Sequence, residues 1–240
     1  MTKVKERRER TLKISAGSYD LNSWLFGGYE KDIVTVLYGR AGTGKTNFCL
    51  LATVSQAKKG KKVIFIDTEG GFSIERIKQL VGENNDVQST LENIFLLKPT
   101  SFEEQKKAFV ELNRRLKSQV DLIVVDGMTI LYRLDFADAR EKNEESVQTI
   151  NSELAKQMKM LAEIARKKEI PVLVTNQVYN WENEDRMVGG DILRYWGKCL
   201  IELVNDKGRR TAYLRKHRSL PEKSLDFQIY NGGIRKRGWI

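Results

Sequence analysis

The sequence predicts an α/β protein with a mostly parallel central sheet, helices on both faces and an antiparallel extension at the carboxyl end. Three observations predict it. Short apolar, β-branched runs alternate with helical patterns from Ile33 to Thr175, as in βαβ units. The first of these runs breaks into glycines and ends in Lys-Thr before a helical stretch. Residues 200–229 hold three further strand patterns joined by short turns.

Taken in order, Met1 to Thr11 is a charged stretch containing K-V-K-E-R-R-E-R. We take residues 1–14 as a charged N-terminal segment and 15–240 as a single core domain. Ile14 to Glu30 is turn-rich, with Leu21, Trp24, Leu25 and Phe26 to pack it onto the core. The first strand is Ile33 to Leu37, and the helix after it runs from about Gly44 to Lys59 with Gly60 as its stop. Val63 to Asp67 is a buried strand, 72–81 is helical, and Asn93 to Leu97 is another strand. Phe102, Phe109, Leu112 and Leu116 fall at helical spacing and predict a helix over 101–118. Leu122 to Val125 is a strand closed by Asp126. Residues 127–142 are mixed and expected as a loop. Val147, Ile150, Leu154, Met158, Leu161 and Ala165 mark one long amphipathic helix over about 143–168. Pro171 to Thr175 is a strand, 179–196 a second loop, and 200–204, 210–216 and 224–229 are the closing strands.

Composition narrows the function. The 240 residues are 40% hydrophobic and 31% charged, which suits one soluble domain with a large core. No apolar run approaches a membrane span, and the charged start lacks the apolar stretch of a secretion signal. The expected location is therefore cytoplasmic, with no membrane partner. Cys49 and Cys199 make no metal motif, and a single histidine, His217, argues against a histidine-based metal site or triad. The net charge of +10 points to an anionic partner, nucleic acid first, although a solvated lysine-rich surface has the same composition.

Gly39-Arg40-Ala41-Gly42-Thr43-Gly44-Lys45-Thr46 fits the phosphate-binding loop, a match expected by chance in a chain of this length roughly once in a hundred. Its glycines let the backbone turn and present N–H groups to phosphate oxygens. The following helix adds its positive end. Lys45 would reach the β- and γ-phosphates, and the Thr46 hydroxyl would ligate Mg²⁺. Asp126, ending L-I-V-V-D, can hold the same metal directly or through a water. The next residue is Gly127, not an acid. Glu69, at another strand end, can therefore align the attacking water or accept its proton. Gln177 follows a strand and can sense the γ-phosphate and couple it to 179–196. Lys216 and Arg218 flank His217; they could stabilise charge in a neighbouring subunit's site, contact phosphate, or form a solvated turn.

These pieces resemble the RecA/RadA recombinase family and its archaeal paralogues. The carrying segments are G-R-A-G-T-G-K-T at 39–46, F-I-D-T-E-G-G-F-S-I-E-R-I at 65–77, L-I-V-V-D at 122–126 and V-L-V-T-N-Q-V at 172–178, with Gly189-Gly190 and K-H-R at 216–218. The resemblance covers about residues 15–235. It implies a RecA-like ATPase core that takes ATP and Mg²⁺, with Glu69 as catalytic carboxylate, Gln177 as γ-phosphate sensor and Arg76 against the adenine. It also implies two DNA-facing loops, placing Arg133 and Arg140 in the first and Arg186 and Arg194 in the second. The chain has no room for the N-terminal helical domain of full-length archaeal recombinases. Its only Phe-x-x-Ala match, Phe136 to Ala139, lies inside the first loop and is taken as coincidental. The resemblance thus implies an accessory role in recombination and repair: weak ATP hydrolysis, binding of DNA (single-stranded favoured), and assistance to a RadA-type recombinase rather than strand exchange. A Holliday-junction nuclease and a second copy of the chain are further partners it implies, and association with the nucleoid follows. Competing readings are a DNA-stimulated motor and a ring-forming signalling ATPase.

Overall fold

The computed structural model describes residues 12–83, 86–181 and 184–238. An antiparallel ribbon of β1 (Lys13–Ile14) and β2 (Tyr29–Glu30) encloses helix α1 (Tyr19–Trp24). Lys13 and Ile14 thus join the core; residues 1–11 of the charged segment lie outside the described residues. Then follow β3 (Val34–Gly39), α2 (Lys45–Ala57), β4 (Val63–Asp67), α3 (Ile74–Val81), α4 (Val87–Leu91), β5 (Ile94–Leu97), α5 (Phe102–Arg115) and β6 (Leu122–Asp126). The remainder is α6 (Ile130–Lys142), α7 (Glu144–Lys168), β7 (Val172–Trp181), β8 (Glu184–Met187), α8 (Gly190–Trp196), β9 (Gly197–Asp206), β10 (Arg209–Lys216), β11 (Lys223–Tyr230) and β12 (Gly233–Lys236).

One large sheet has the order β12-β11-β10-β9-β3-β7-β6-β4-β5, with β8 added to β7. Strands β9, β3, β7, β6, β4 and β5 are parallel; β10 to β12 and β8 are antiparallel additions. Alternate residues of each parallel strand feed opposite faces, as the pleat requires. Val63, Phe65, Leu122 and Val124 pack with Phe48, Leu51 and Val54 of α2 on one face. Ile64, Ile66, Ile123 and Val125 pack with Phe109 and Leu112 of α5 and with Leu154, Met158 and Leu161 of α7 on the other. Burial on both faces explains why these strands read as unbroken apolar runs. The predicted helices begin at real caps: Ser73, Ser101 and Asn143 each accept a bond from a backbone N–H three residues on. Among the described residues no helix is long and apolar enough to cross a membrane.

The two expected loops are corrected. Residues 130–142 form helix α6, because Leu131, Tyr132 and Ala139 fall on one face and bury against the second core. No Gly or Pro interrupts that stretch, and its Arg, Asp, Glu and Lys are its solvent side. Residues 179–196 are largely ordered too. Strand β7 runs on past Thr175 and folds back through β8, and Gly189 with φ +70° opens α8. The Phe-x-x-Ala match sits on α6 with Ala139 buried and the Phe136 ring 5.5 Å from that of Tyr132, so it is packed into the chain's own core. A fourth closing strand, β12, was not expected.

Candidate nucleotide site

The carboxyl ends of β3, β4 and β6 meet beside Gln177, which lies within β7 rather than after a strand, because β7 continues to Trp181 to pair with β8. Register pairs Gly39 with Gln177 and Asp67 with Asp126, so the start of the 39–46 loop, Gln177 and both strand-end aspartates are neighbours before any side chain is considered. At Gly39 a Cβ would collide with the carbonyl oxygen of Leu203 on β9, and φ is +153°. Only glycine lets the loop leave the sheet there. Gly44, at φ +110°, is the N-cap of α2 and no side chain caps that end. The first-turn N–H groups are thereby left to an anion.

Lys45 is 6% exposed. Its Nζ donates to the carbonyls of Gly39 at 2.9 Å and Arg40 at 3.0 Å, and Thr43 Oγ1 donates to the same Arg40 carbonyl at 2.9 Å. Burial pulls the Lys45 pKa down, while Glu69 and Asp126 push it up. The loop therefore holds its lysine on backbone oxygens, which are weaker partners than phosphate.

Asp126 is fully buried. Its Oδ1 accepts from Thr175 Oγ1 at 2.6 Å, and Oδ2 has no hydrogen-bond partner among the described residues. Burial pushes this carboxyl up to about 6, and the charges of Glu69 and Asp67 add to the shift. The hydroxyls of Thr175 and Thr46 oppose it, although Thr46 lies near Oδ2 without bonding to it. A Cβ on Gly71 would be 3.3 Å from both Asp126 Oδ2 and Thr46 Oγ1. The two oxygens therefore flank one small space that stays open because residue 71 is glycine. An orphaned carboxylate oxygen beside a hydroxyl suits a hard cation such as Mg²⁺.

Gln177 Nε2 donates to Glu69 Oε1 at 3.2 Å, so the structure brings these two residues together. Gly127 shows why no acid follows Asp126. A Cβ there would overlap Thr68 Oγ1 and come within 2.7 Å of Glu69 Cγ, at φ +93°. The space beside Asp126 is occupied by Glu69 itself. Three supporting residues had no clear signal in the sequence. Asp67 accepts from the N–H groups of Gly71 and Phe72, both at 3.0 Å, and pins the turn that carries Glu69. The signal available was an Asp ending a strand four residues before a Gly-Gly turn is complete. Thr175 holds Asp126 and accepts from Gly127 N at 2.7 Å. Asn176 accepts from Thr129 Oγ1 and donates to the carbonyl of Val188 at 2.9 Å, tying β7 to the residue before Gly189.

Arg76 donates to Asn47 Oδ1, Gln79 Oε1 and the carbonyls of Tyr230 and Asn231, at 2.8 to 3.1 Å. It clamps α3 against the first turn of α2 and the β11–β12 turn. Arg40 pairs with Asp185 of β8. Of the expected DNA contacts, Arg133 and Arg140 are exposed on α6, Arg186 on β8 and Arg194 on α8. Lys216 and Arg218 lie elsewhere. Lys216 pairs with Leu200, and nearby Gly197 with Val34, at the end of the sheet where β3 begins. Lys216 Nζ donates to the carbonyls of Arg194 and Gly197 at 3.0 and 2.9 Å. Arg218 pairs with Asp32 at 2.5 Å and Glu30 at 2.6 Å. Both are thus remote from the phosphate loop of their own chain.

A Rad51 family model matches residues 7–237. The DNA repair and recombination protein RadB of Methanobrevibacter smithii is 41% identical over 243 residues, covering 97% of this chain and 99% of that protein. The RadB protein of Methanocaldococcus jannaschii is 39% identical over 89% of this chain and 98% of its own length. That of Methanococcoides burtonii is 40% identical over 90% and 94%.

Proposed function

The chain belongs to the Rad51 family of RecA-fold proteins, in its RadB branch, and from that premise we propose that it is an ATP-binding, DNA-binding accessory protein of homologous recombination and repair. The observation that carries the reading is the convergence of Lys45, Thr46, Asp126 Oδ2 and the Glu69–Gln177 pair at adjoining strand ends. Lys45 exchanges two carbonyls for the β- and γ-phosphates. Thr46 and Asp126 would hold Mg²⁺, which would supply neutralisation of phosphate charge. Glu69 aligns the water that attacks the γ-phosphate, and Gln177 shares its carboxylate and so registers its position. Arg76, already beside Asn47, closes the adenine end.

Turnover is slow in this reading, because the Lys216 and Arg218 cations are engaged far from their own phosphate loop and reach such a site only in another copy of the chain. The protein acts by gripping single-stranded DNA through Arg133, Arg140, Arg186 and Arg194 while it assists a RadA-type recombinase. Binding of single-stranded DNA across a salt titration tests the electrostatic half of the proposal. Replacing all four arginines by alanine should lower the log–log salt slope by about 3. An unchanged slope would remove these residues from the interface.

A further inference from the structure

Arg40 is held at both ends. Its guanidinium forms a two-pronged bond with Asp185 of β8, Nε to Oδ2 at 2.8 Å and Nη2 to Oδ1 at 2.7 Å. Its carbonyl accepts from Lys45 Nζ and from Thr43 Oγ1. One residue of the phosphate loop therefore connects the lysine that meets phosphate to a carboxylate on the β7–β8 hairpin. The fork makes the contact geometrically specific. Its exposure makes it weak: the side chains are 66% and 30% accessible, and such pairs are screened and readily exchanged.

We propose that nucleotide occupancy is transmitted to the β7–β8 hairpin through the Arg40–Asp185 pair, with Asp185 acting as a positioning residue for Arg40. A triphosphate in the loop brings several negative charges close to Arg40 and takes Lys45 away from the Arg40 carbonyl. The phosphate charge favours turning the guanidinium from Asp185 to phosphate. The hairpin then loses its tether to the loop. ADP offers less charge and no γ-phosphate, so it leaves more of the pair closed. This path is separate from Gln177, which reaches the same hairpin along β7 and through the bond from Val188 N to its carbonyl at 3.1 Å. The link rests on the nucleotide-binding half of the reading above, and its consequence for nucleic acid on the other half, in which Arg186 of the hairpin faces single-stranded DNA.

Amide hydrogen exchange of β7 and β8 in the full chain tests it, with no nucleotide, with Mg·ADP and with a non-hydrolysable Mg·ATP analogue. The analogue should raise exchange in the hairpin about fivefold, equivalent to about 1 kcal/mol, and ADP should raise it less. Asp185→Asn should show the raised rate without nucleotide and no further response. Arg40→Gln should behave alike, and Asp185→Glu, which keeps the carboxylate, should retain the response. A hairpin indifferent to an analogue that calorimetry shows to be bound overturns the inference, as does a full response in Asp185→Asn; an analogue that does not bind overturns the nucleotide reading and the inference with it. Single-stranded DNA affinity measured on the same samples separates the two proposals. An exchange response without DNA binding would remove the hairpin's DNA role and leave the link standing.

Discussion

Asp126 is tightly constrained, because a fully buried carboxylate with one unbonded oxygen is costly unless it is protonated or meets a cation. Its pKa near 6 lies above the ordinary 3.8, so the folded state holds a proton that the unfolded state releases between those values. The sign follows: the site favours folding most below about pH 4, and that contribution is lost as pH rises to 6. Asp126→Asn should therefore stabilise the ligand-free protein by roughly 1–3 kcal/mol at pH 8, with little effect at pH 4. It should also abolish the extra thermal stability that Mg²⁺ adds to nucleotide. Thermal melts at the two pH values check both. This residue was legible in the sequence because it ends an apolar run in a chain that also has a phosphate loop. Thr175 was not, since a threonine ending a β-branched run looks like one more strand residue until its hydroxyl is seen on Asp126 Oδ1. The exposed arginines had no local signal beyond the family resemblance.

At the level of elements, strand ends position the chemistry and one glycine sets their spacing. Gly127→Ala should destabilise the fold by about 2–4 kcal/mol, through positive φ and overlap with Thr68 and Glu69. Any folded remainder should bind nucleotide but turn it over more slowly, because Glu69 is displaced; denaturant titration and a turnover assay separate the effects. Arg218→Ala should cost about 1–2 kcal/mol, since it withdraws a cation from Glu30, which is 6% exposed. The parallel strands and long helices were legible because burial on both faces writes unbroken apolar runs and a single face writes a 3.6-residue period. Helix α6 was hidden by its charges. Leu131, Tyr132 and Ala139 are too few to set a visible period, and only packing against α7 decides the matter. Strand β8 was hidden for a related reason: a short charged strand is specified by its pairing to β7, not by its own composition.

Across the whole molecule the two ends of the sheet have different tasks. The carboxyl ends of the parallel strands gather the phosphate loop, both aspartates and the Glu69–Gln177 pair. The opposite end holds Lys216 and Arg218 in contacts of their own. The net charge of +10 is large enough to draw a nucleic acid. The proposed site is one whose ATP turnover does not depend on DNA. ATP turnover with and without saturating single-stranded DNA, on the wild-type chain and on Lys45→Ala, tests it most directly. We predict slow hydrolysis that changes less than twofold with DNA and is lost in the variant. Strong stimulation by DNA would contradict the accessory reading, and hydrolysis that survives Lys45→Ala would contradict the site itself.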